Sequence, residues 1–151
     1  MNEARETIEI YFELCHPEAK MPCYARQGDA GMDVYAVENT LIKPGQTVVV
    51  RTGWKVALPC GYELQIRPRS GLSLQTPLRV ANSPGTIDAG YRDEVGIILQ
   101  NTSLEKGYEI KKGERVAQLV LQKVPQIKWV LVENVQAIGI DRGGGFGSTG
   151  L

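Results

Sequence analysis

The stretch "TVVVRTGWKVALPCGYELQIR" (residues 47–67) determines the fold class expected of this chain. Apolar and polar residues alternate along much of it, and β-branched and aromatic residues are frequent, which is the pattern of half-buried β-strands. The turn-forming string "PCGY" (59–62) divides the stretch. The pattern therefore predicts one strand over 47–58 and a second over 62–67.

The same alternation recurs along the chain, and "KPGQ", "KKGE" and "KVPQ" supply further turn residues between the segments. No long window holds a sustained apolar period of about 3.6 residues. The best helical candidate is "SGLSLQT" (70–76), which Ser70 is expected to cap. We expect an all-β barrel or sandwich. Its other strands are predicted over residues 7–13, 94–101, 115–124 and 127–133.

Length and charge limit the possible functions. A chain of 151 residues suits one domain with a substantial core. Its 17 lysine and arginine residues balance 17 aspartate and glutamate residues, so no bulk basic surface and no direct nucleic-acid binding are expected. The charged amino terminus predicts neither a signal peptide nor a membrane partner. We expect one β domain over 1–140 and a flexible tail over 141–151.

Cysteine and histidine usage narrows the chemistry further. The three cysteines, Cys15, Cys23 and Cys60, lack C-x-x-C spacing, which argues against a zinc knuckle or a disulfide framework. They indicate reduced thiols and hence a cytoplasmic location. The single histidine, His16, has no nucleophile motif around it, which argues against Ser-His-Asp and Cys-His catalysis.

Four segments interrupt the strand pattern with small and charged residues. Taken singly, each fits a turn, a solvated strand end or a helix cap. Together they supply arginines, hydroxyls, backbone amides and carboxylates, which are the groups needed to hold a polyphosphate and activate a water molecule. The segments are "DAGMDVYA" (29–36), "RPRSGLS" (67–73), "NSPGTIDAGYRDE" (82–94) and "DRGGGFGSTGL" (141–151).

The tail contains "GFGSTG" (145–150), which matches the G-x-G-x-x-G pattern of dinucleotide-binding proteins. That pattern requires a helix after the glycines, and here only one residue follows. The tail still offers glycine amides, hydroxyls, a guanidinium and one aromatic ring, all suited to a nucleotide. We therefore expect it to become ordered only when a ligand supplies contacts.

In order, "DAGMDVYA", "PRSGLS", "GTIDAGYRDE", "GERVAQLVL" and "RGGGFGSTG" resemble the five motifs of the trimeric dUTP diphosphatases (dUTPases). The resemblance spans residues 29–150 and rests on all five motifs. It implies a jelly-roll-like β-barrel, a homotrimer, and Mg²⁺-dependent hydrolysis of dUTP to dUMP and pyrophosphate. That reaction limits uracil incorporation into DNA and supplies dUMP for thymidylate synthesis.

The resemblance also assigns roles to individual residues. Asp88 is implied to be the base that deprotonates the water attacking the α-phosphate, a task that suits an ionised carboxylate. Asp33 is implied to reach Mg²⁺ through a bound water. Gln118 is implied to donate to the phosphates, although as a strand residue it also fits a solvent-facing position. Further phosphate contacts are implied for Arg69, Ser70 and Gly71.

The third motif is implied to form a hairpin pocket that reads uracil through main-chain groups and one amide, so that cytosine is rejected because its donors and acceptors are reversed. Tyr91 would lie against the deoxyribose, where a 2′-hydroxyl would clash. Asp93 stands where the family usually has glycine, and Met32 where an aromatic or aliphatic residue is more frequent. The uracil contacts are implied for Asn82, Gly85, Thr86, Ile87 and Gly96.

The tail resembles the closing lid of the family. Arg142, Ser148 and Thr149 are implied to hold the γ-phosphate, with Gly147 as a further contact, while Phe146 stacks on the uracil. Closure would exclude bulk water and align the triphosphate. In the family, each site draws the phosphate motifs from one chain, the uracil hairpin from a second and the lid from a third.

Two other interpretations remain open from the sequence. A dCTP deaminase shares the architecture, but it needs an acid or base beside cytosine C4 and usually lacks this aromatic glycine tail. A nucleotide sensor that binds a regulatory partner does not need the carboxylate of Asp88. Ammonia release from dCTP would indicate the first alternative, and binding without pyrophosphate release would indicate the second.

Overall fold

The computed structural model describes residues 6–144, which form short strands, one short helix and one 3₁₀ turn. Most strands contain three to six residues, because turn residues end each alternating segment early. The strands are β1 (Tyr11–Leu14), β2 (Met32–Tyr35), β3 (Thr40–Ile42), β4 (Thr47–Arg51), β5 (Trp54–Ala57), β6 (Tyr62–Arg67), β7 (Leu78–Val80), β8 (Gly85–Ile87), β9 (Gly96–Asn101), β10 (Tyr108–Ile110) and β11 (Arg115–Lys123). The helix α1 covers Ser70–Gln75, and the 3₁₀ turn covers Val135–Ala137.

Antiparallel pairing joins the strands into four small sheets. The largest has the order β2-β11-β6-β8, and a second has the order β4-β9-β7. Two further pairs, β1 with β5 and β10 with β3, complete the arrangement of the described residues. Non-neighbouring strands of the sequence pair with one another, as in a jelly roll, and no ladder closes on itself between residues 6 and 144. The expected all-β, jelly-roll-like fold is confirmed.

Strand boundaries follow the sequence pattern closely in the centre of the chain. Strand β6 occupies residues 62–67, as predicted. The predicted strand 47–58 is instead divided into β4 and β5 at Gly53, which has a φ angle of +77°. A Cβ atom there would lie 2.8 Å from the Cβ atoms of His16 and of Ala19. Glycine therefore permits both the left-handed backbone and the close approach of residues 16–19.

The predicted strand over residues 127–133 is wrong. The segment has no regular secondary structure, and several of its apolar side chains are exposed, including Trp129 at 87% and Leu131 at 100%. An alternating segment becomes a strand only when a neighbouring strand edge accepts its backbone hydrogen bonds. No described strand of the same chain pairs with this segment, so its apolar residues remain uncovered.

The core lies between the sheets and consists of the inward-facing residues of the strands. Trp54 is fully buried, and the ring of Phe12 packs on it with centroids 5.4 Å apart. Asn101 is also fully buried, and its Nδ2 donates to the carbonyl oxygens of Ile42 and Lys106 at 3.1 and 2.8 Å. Because its amide is satisfied, this polar group is tolerated in the interior.

Helix α1 directly follows β6 and occupies nearly the predicted segment. The expected cap is different, because Arg69 is the N-cap and Ser70 is already the first helical residue. The side chain of Arg69 makes no capping bond, because a guanidinium has no acceptor for a backbone amide, and it donates instead to an acidic partner described below. At the other end, Thr76 Oγ1 donates to the Leu72 carbonyl at 2.6 Å. Within residues 6–144, no helix is long and apolar enough to cross a membrane.

Candidate functional site

The first cluster of predicted site residues lies where β2 and β11 meet the end of β6. Arg69 donates from Nε to Oδ1 of Asp33 at 2.9 Å, and Arg115 donates from a terminal nitrogen to Oδ2 at 3.2 Å. A second nitrogen of Arg69 donates to the Arg115 carbonyl at 3.2 Å. The side chain of Asp33 is 18% exposed. Because each of its two oxygens accepts from a different arginine, the carboxylate holds both guanidinium groups in one place.

Gln118 connects this cluster to two motifs. In the sheet register it lies between Asp33 on β2 and Arg67 on β6. Its Nε2 donates to the Pro68 carbonyl at 2.8 Å, and a Cβ atom at Gly31 would stand only 2.5 Å from its Oε1. The side chain is half-buried between the first and second motifs, so the alternative of a freely solvated glutamine does not describe its position.

The cluster carries an excess of positive charge. Arg67 donates to the neutral Gln65 Oε1 at 3.0 and 2.7 Å and pairs with no carboxylate in the described part of the chain, while Asp33 alone pairs with both Arg69 and Arg115. Ser70 and Gly71 are exposed beside them, and a Cβ atom at Gly71 would meet nothing within 4 Å. Open space, free cationic charge and a hydroxyl together suit a polyanion such as a triphosphate.

The second cluster lines a cavity of about 170 Å³ formed by β8, β9 and the end of β6. The close approach of the backbone is visible at Gly85, where a Cβ atom would lie 3.2 Å from Asn82 Nδ2. Exposed main-chain and amide groups beside apolar side chains suit a planar heterocycle. The lining contains all six residues predicted to read the base and the sugar: Asn82, Gly85, Thr86, Ile87, Tyr91 and Gly96.

Asp88 is exposed and directly follows β8. The pairing of β8 with β6 sets Gly85 opposite Ile66 and Ile87 opposite Leu64, so Asp88 lies beyond the Leu64 end of the ladder. Arg67 lies at the other end of β6, three residues after Leu64, which is a distance of about 10 Å from Leu64 at the usual rise per residue. Arg69 lies beyond Arg67. Within a single chain, the predicted base Asp88 and the arginine cluster therefore lie at opposite ends of β6.

Sequence reasoning missed Arg115 and Glu94. Arg115 opens the string "RVAQL", so its place in the fourth motif was the available signal. Glu94 lies just before β9, where its carboxylate accepts from the Gly53 amide at 2.8 Å and from Arg51 at 3.0 Å. Burial acts to raise the pKa of Glu94, but hydrogen bonds from Arg51 and the Gly53 amide outweigh it and hold the pKa below its ordinary value.

The residues suit a metal bound mainly by substrate and water. Between residues 6 and 144, no three histidine, cysteine, aspartate or glutamate side chains come together as a metal cage. Asp33 offers a single carboxylate beside the open anion cluster. Mg²⁺ commonly keeps several waters and binds one or two carboxylates together with phosphates, so this donor set fits that ion.

The tail is described only at its start. Arg142 is exposed, and the Gly143 amide donates to Asp141 Oδ1 at 2.7 Å. Gly143 and Gly144 have positive φ angles of 63° and 74°. The predicted lid residues Phe146, Gly147, Ser148 and Thr149 lie outside the described residues.

The dUTPase family model matches residues 17–150. A Picosynechococcus protein named deoxyuridine 5'-triphosphate nucleotidohydrolase is 48% identical over 136 residues, which cover 89% of this chain and 94% of that protein. A Clostridium tetani protein of the same name is 46% identical over 146 residues, covering 95% of this chain and 97% of that protein.

Solved structures agree with the sequence relatives. A mutant dUTPase of Staphylococcus bacteriophage 80alpha with dUpNHpp aligns with a TM-score of 0.86 at 29% identity, covering 96% of this chain and 100% of that one. A mutant dUTPase of phage phi11, described for its structural Mg(II) ion, aligns with a TM-score of 0.79 at 26% identity, covering 85% and 99%.

These likenesses define the class of protein as an all-β nucleotide hydrolase. The chain belongs to the dUTPase family. The family predicted from the sequence motifs is confirmed. The predicted enzyme activity, dUTP hydrolysis, is confirmed with it.

Proposed function

We propose that this protein hydrolyses dUTP to dUMP and pyrophosphate in a site that is shared between the subunits of a homotrimer. The observation that carries the proposal is the strand register, which separates Asp88 from the arginine cluster within one chain. A base and the phosphates it serves must meet at hydrogen-bonding distance. The two halves therefore meet when the β8–β9 loop of one subunit faces the arginine cluster of another.

The chemistry of the proposed step is water attack on the α-phosphate. Asp88, an exposed carboxylate, would take the proton from the attacking water. Arg69, Ser70, Gly71 and Gln118 would hold the triphosphate in line. As the water oxygen bonds to the α-phosphorus, the bond from that phosphorus to the oxygen bridging to the β-phosphate would break, and pyrophosphate would leave with the negative charge on that oxygen. Mg²⁺ at Asp33, held through water, would neutralise charge on the phosphate oxygens when bound.

Arg115 has a supporting part in the same cluster. With Arg69 it occupies both oxygens of Asp33, so the carboxylate has a fixed orientation before the substrate arrives. Preorganised charge of this kind stabilises a transition state without reorganising during the reaction. The cluster remains cationic because one carboxylate cannot neutralise three guanidinium groups.

Base and sugar selection would take place in the cavity between β8 and β9. Main-chain groups of Gly85, Thr86, Ile87 and Gly96, with the Asn82 amide, line a space in which uracil is held at its polar edge. Cytosine would leave two of these groups unpaired, which is costly for buried donors and acceptors. Tyr91 lines the same cavity and would exclude a 2′-hydroxyl.

The homotrimer is supported by the uncovered segment 127–140. Its apolar side chains are largely exposed in the single chain, among them Trp129, Leu131 and Ile140. Contiguous exposed apolar groups on a soluble chain commonly mark an interface. Beyond this segment, residues 141–151 would act as the lid, with Arg142, Ser148 and Thr149 on the γ-phosphate, Gly147 near them and Phe146 on the uracil ring.

The cellular setting also belongs to the proposal. Cys15, Cys23 and Cys60 are free and exposed, which suits a reducing, cytoplasmic compartment. The zero net charge suits an enzyme of free nucleotides better than a protein that binds nucleic acid directly. There the reaction would limit uracil incorporation into DNA and supply dUMP for thymidylate synthesis.

The test is pyrophosphate release measured with dUTP, UTP and each of the four standard deoxynucleoside triphosphates. We expect rapid, Mg²⁺-dependent release with dUTP and little with the others. The same reactions are assayed for ammonia, since its release from dCTP would replace the proposal with a deaminase. Tight dUTP binding with no product of either kind would instead support a nucleotide sensor.

A further inference from the structure

Glu94 attaches the loop between β8 and β9, which carries Asp88 and Tyr91, to the connection between β4 and β5. Its Oε1 accepts from the Gly53 amide at 2.8 Å, and its Oε2 accepts from two nitrogens of Arg51 at 3.0 and 3.2 Å. The carboxylate is only 25% exposed. This one side chain of the β8–β9 loop is thus held both by the last residue of β4 and by the connection that follows it.

The residue that follows Glu94 strengthens the same attachment. Thr52 Oγ1 donates to the Val95 carbonyl at 2.5 Å, and the Val95 amide donates to the Trp54 carbonyl at 3.0 Å. Thr52, Trp54 and Val95 are all buried, with at most 2% of each exposed. These two bonds hold Val95 to the core, whereas residue 94 itself is held through the side chain of Glu94.

Tyr91 takes its position from the main chain of residue 94. Its hydroxyl donates to the Glu94 carbonyl at 2.8 Å, while its own amide donates to the Asp88 carbonyl at 3.1 Å. Tyr91 as a whole is 38% exposed, so its side chain is only partly packed against the rest of the chain. The bond to the Glu94 carbonyl is the contact that fixes the far end of the ring.

We infer that Glu94 is a positioning residue for sugar selection: its side chain fixes the carbonyl that holds the Tyr91 hydroxyl, and thereby the wall against a 2′-hydroxyl. The inference rests on the proposed function, in which Tyr91 lies against the sugar. Glu94 does not touch substrate in this scheme. Its loss lets residue 94 shift, the tyrosine ring loosens, and a ribonucleotide is accepted more readily.

The experiment compares kcat/KM for dUTP and for UTP in the intact trimer of each variant. In Glu94→Ala the ratio of kcat/KM for dUTP to that for UTP is expected to fall by about three- to tenfold, which is the effect of weakening one hydrogen bond. Glu94→Gln, which keeps an acceptor for the Gly53 amide, should retain most of the ratio. Glu38→Ala removes the other, weaker partner of Arg51, at 3.5 Å, and should leave the ratio unchanged.

A double-mutant cycle separates positioning from general stability. Tyr91→Phe removes the hydroxyl, so adding Glu94→Ala to it should lower the preference for dUTP over UTP no further. The loss of stability that Glu94→Ala causes in urea unfolding should persist in the double variant. Full additivity in the ratio, or an unchanged ratio in Glu94→Ala, would overturn the inference. If Tyr91→Ala itself leaves the ratio unchanged, it is the proposed role of Tyr91 that fails.

Discussion

Gly31→Ala tests whether Gln118 belongs to the phosphate site. The new Cβ atom would stand 2.5 Å from Gln118 Oε1, against about 3.5 Å or more for an unstrained contact, so the amide must move by about 1 Å. That movement strains or breaks the 2.8 Å bond from Nε2 to the Pro68 carbonyl. The backbone conformation at residue 31 is compatible with alanine, since Gly31 has no positive φ angle.

The expected cost follows from these contacts. Loss of one net hydrogen bond and an off-rotamer side chain together cost about 1–3 kcal/mol, offset by about 0.4–1 kcal/mol from the stiffer unfolded chain. The net loss in the free energy of unfolding should therefore lie between about 0 and about 2.6 kcal/mol, with about 1 kcal/mol near the middle of that range. A group that positions the substrate can lower the rate on the order of 10²-fold when it is displaced by about 1 Å, so kcat/KM for dUTP should fall by about 10- to 100-fold.

Urea unfolding and steady-state pyrophosphate release measure the two effects. Gly107→Ala is the matched control, because a Cβ atom there meets its neighbours at an ordinary 3.6 Å. In a Gln118→Ala background the clash is absent, so Gly31→Ala should cost almost nothing further in stability or activity. Undiminished kcat/KM in a destabilised Gly31→Ala variant would refute the role of Gln118 at the phosphates. An effect of Gly31→Ala on stability that is the same with and without Gln118 would refute the contact itself.

Other variants test the remaining parts of the site. Asp88→Asn should keep the fold and dUTP affinity but lose most turnover, since an amide cannot accept the proton; near-native kcat would remove Asp88 from the base role. Truncation before Arg142 should leave a folded trimer with little activity, whereas unfolding in a melting experiment would make the tail structural. Tyr91→Ala should narrow the preference for dUTP over UTP, as measured by kcat/KM. Because the pKa of Glu94 is lowered from 4.5 by folding, its stabilising contribution is present above pH 4.5 and is lost as the pH falls through the pKa of the folded state. A difference in unfolding free energy between wild type and Glu94→Gln that stays constant through this acid range would contradict the hydrogen bonds assigned to the Glu94 carboxylate.

The sequence predicted the parts of the fold that depend on local pattern and turn chemistry. Strand β6 and helix α1 occupy nearly the expected residues, because alternation and a break in it are properties of the segment itself. The division at Gly53 was missed, since its cause is the distant approach of His16 and Ala19. Residues 127–133 have the alternation of a strand but find no pairing edge within the chain.

The same distinction applies to the site. The implied hairpin does not form, because β8 pairs with β6 while β9 pairs with β4 and β7. All six predicted residues around the cavity nevertheless lie within residues 82–96, so they are close along the chain. Arg115 and Glu94 were missed because their partners, Asp33 and Gly53, are distant in sequence and become neighbours only through strand pairing. The separation of Asp88 from Arg69 likewise depends on the register of β8 with β6.

The shared site is tested most directly by mixing two inactive variants. One carries Asp88→Asn, and the other lacks residues 142–151; they are unfolded together at equal ratio and refolded into mixed trimers. If base and tail come from different subunits, about a quarter of all sites pair an intact Asp88 with an intact tail when assembly is random and cyclic. We expect pyrophosphate release from dUTP to recover to about that fraction of the wild-type rate. No recovery in trimers shown to be mixed would contradict the shared site.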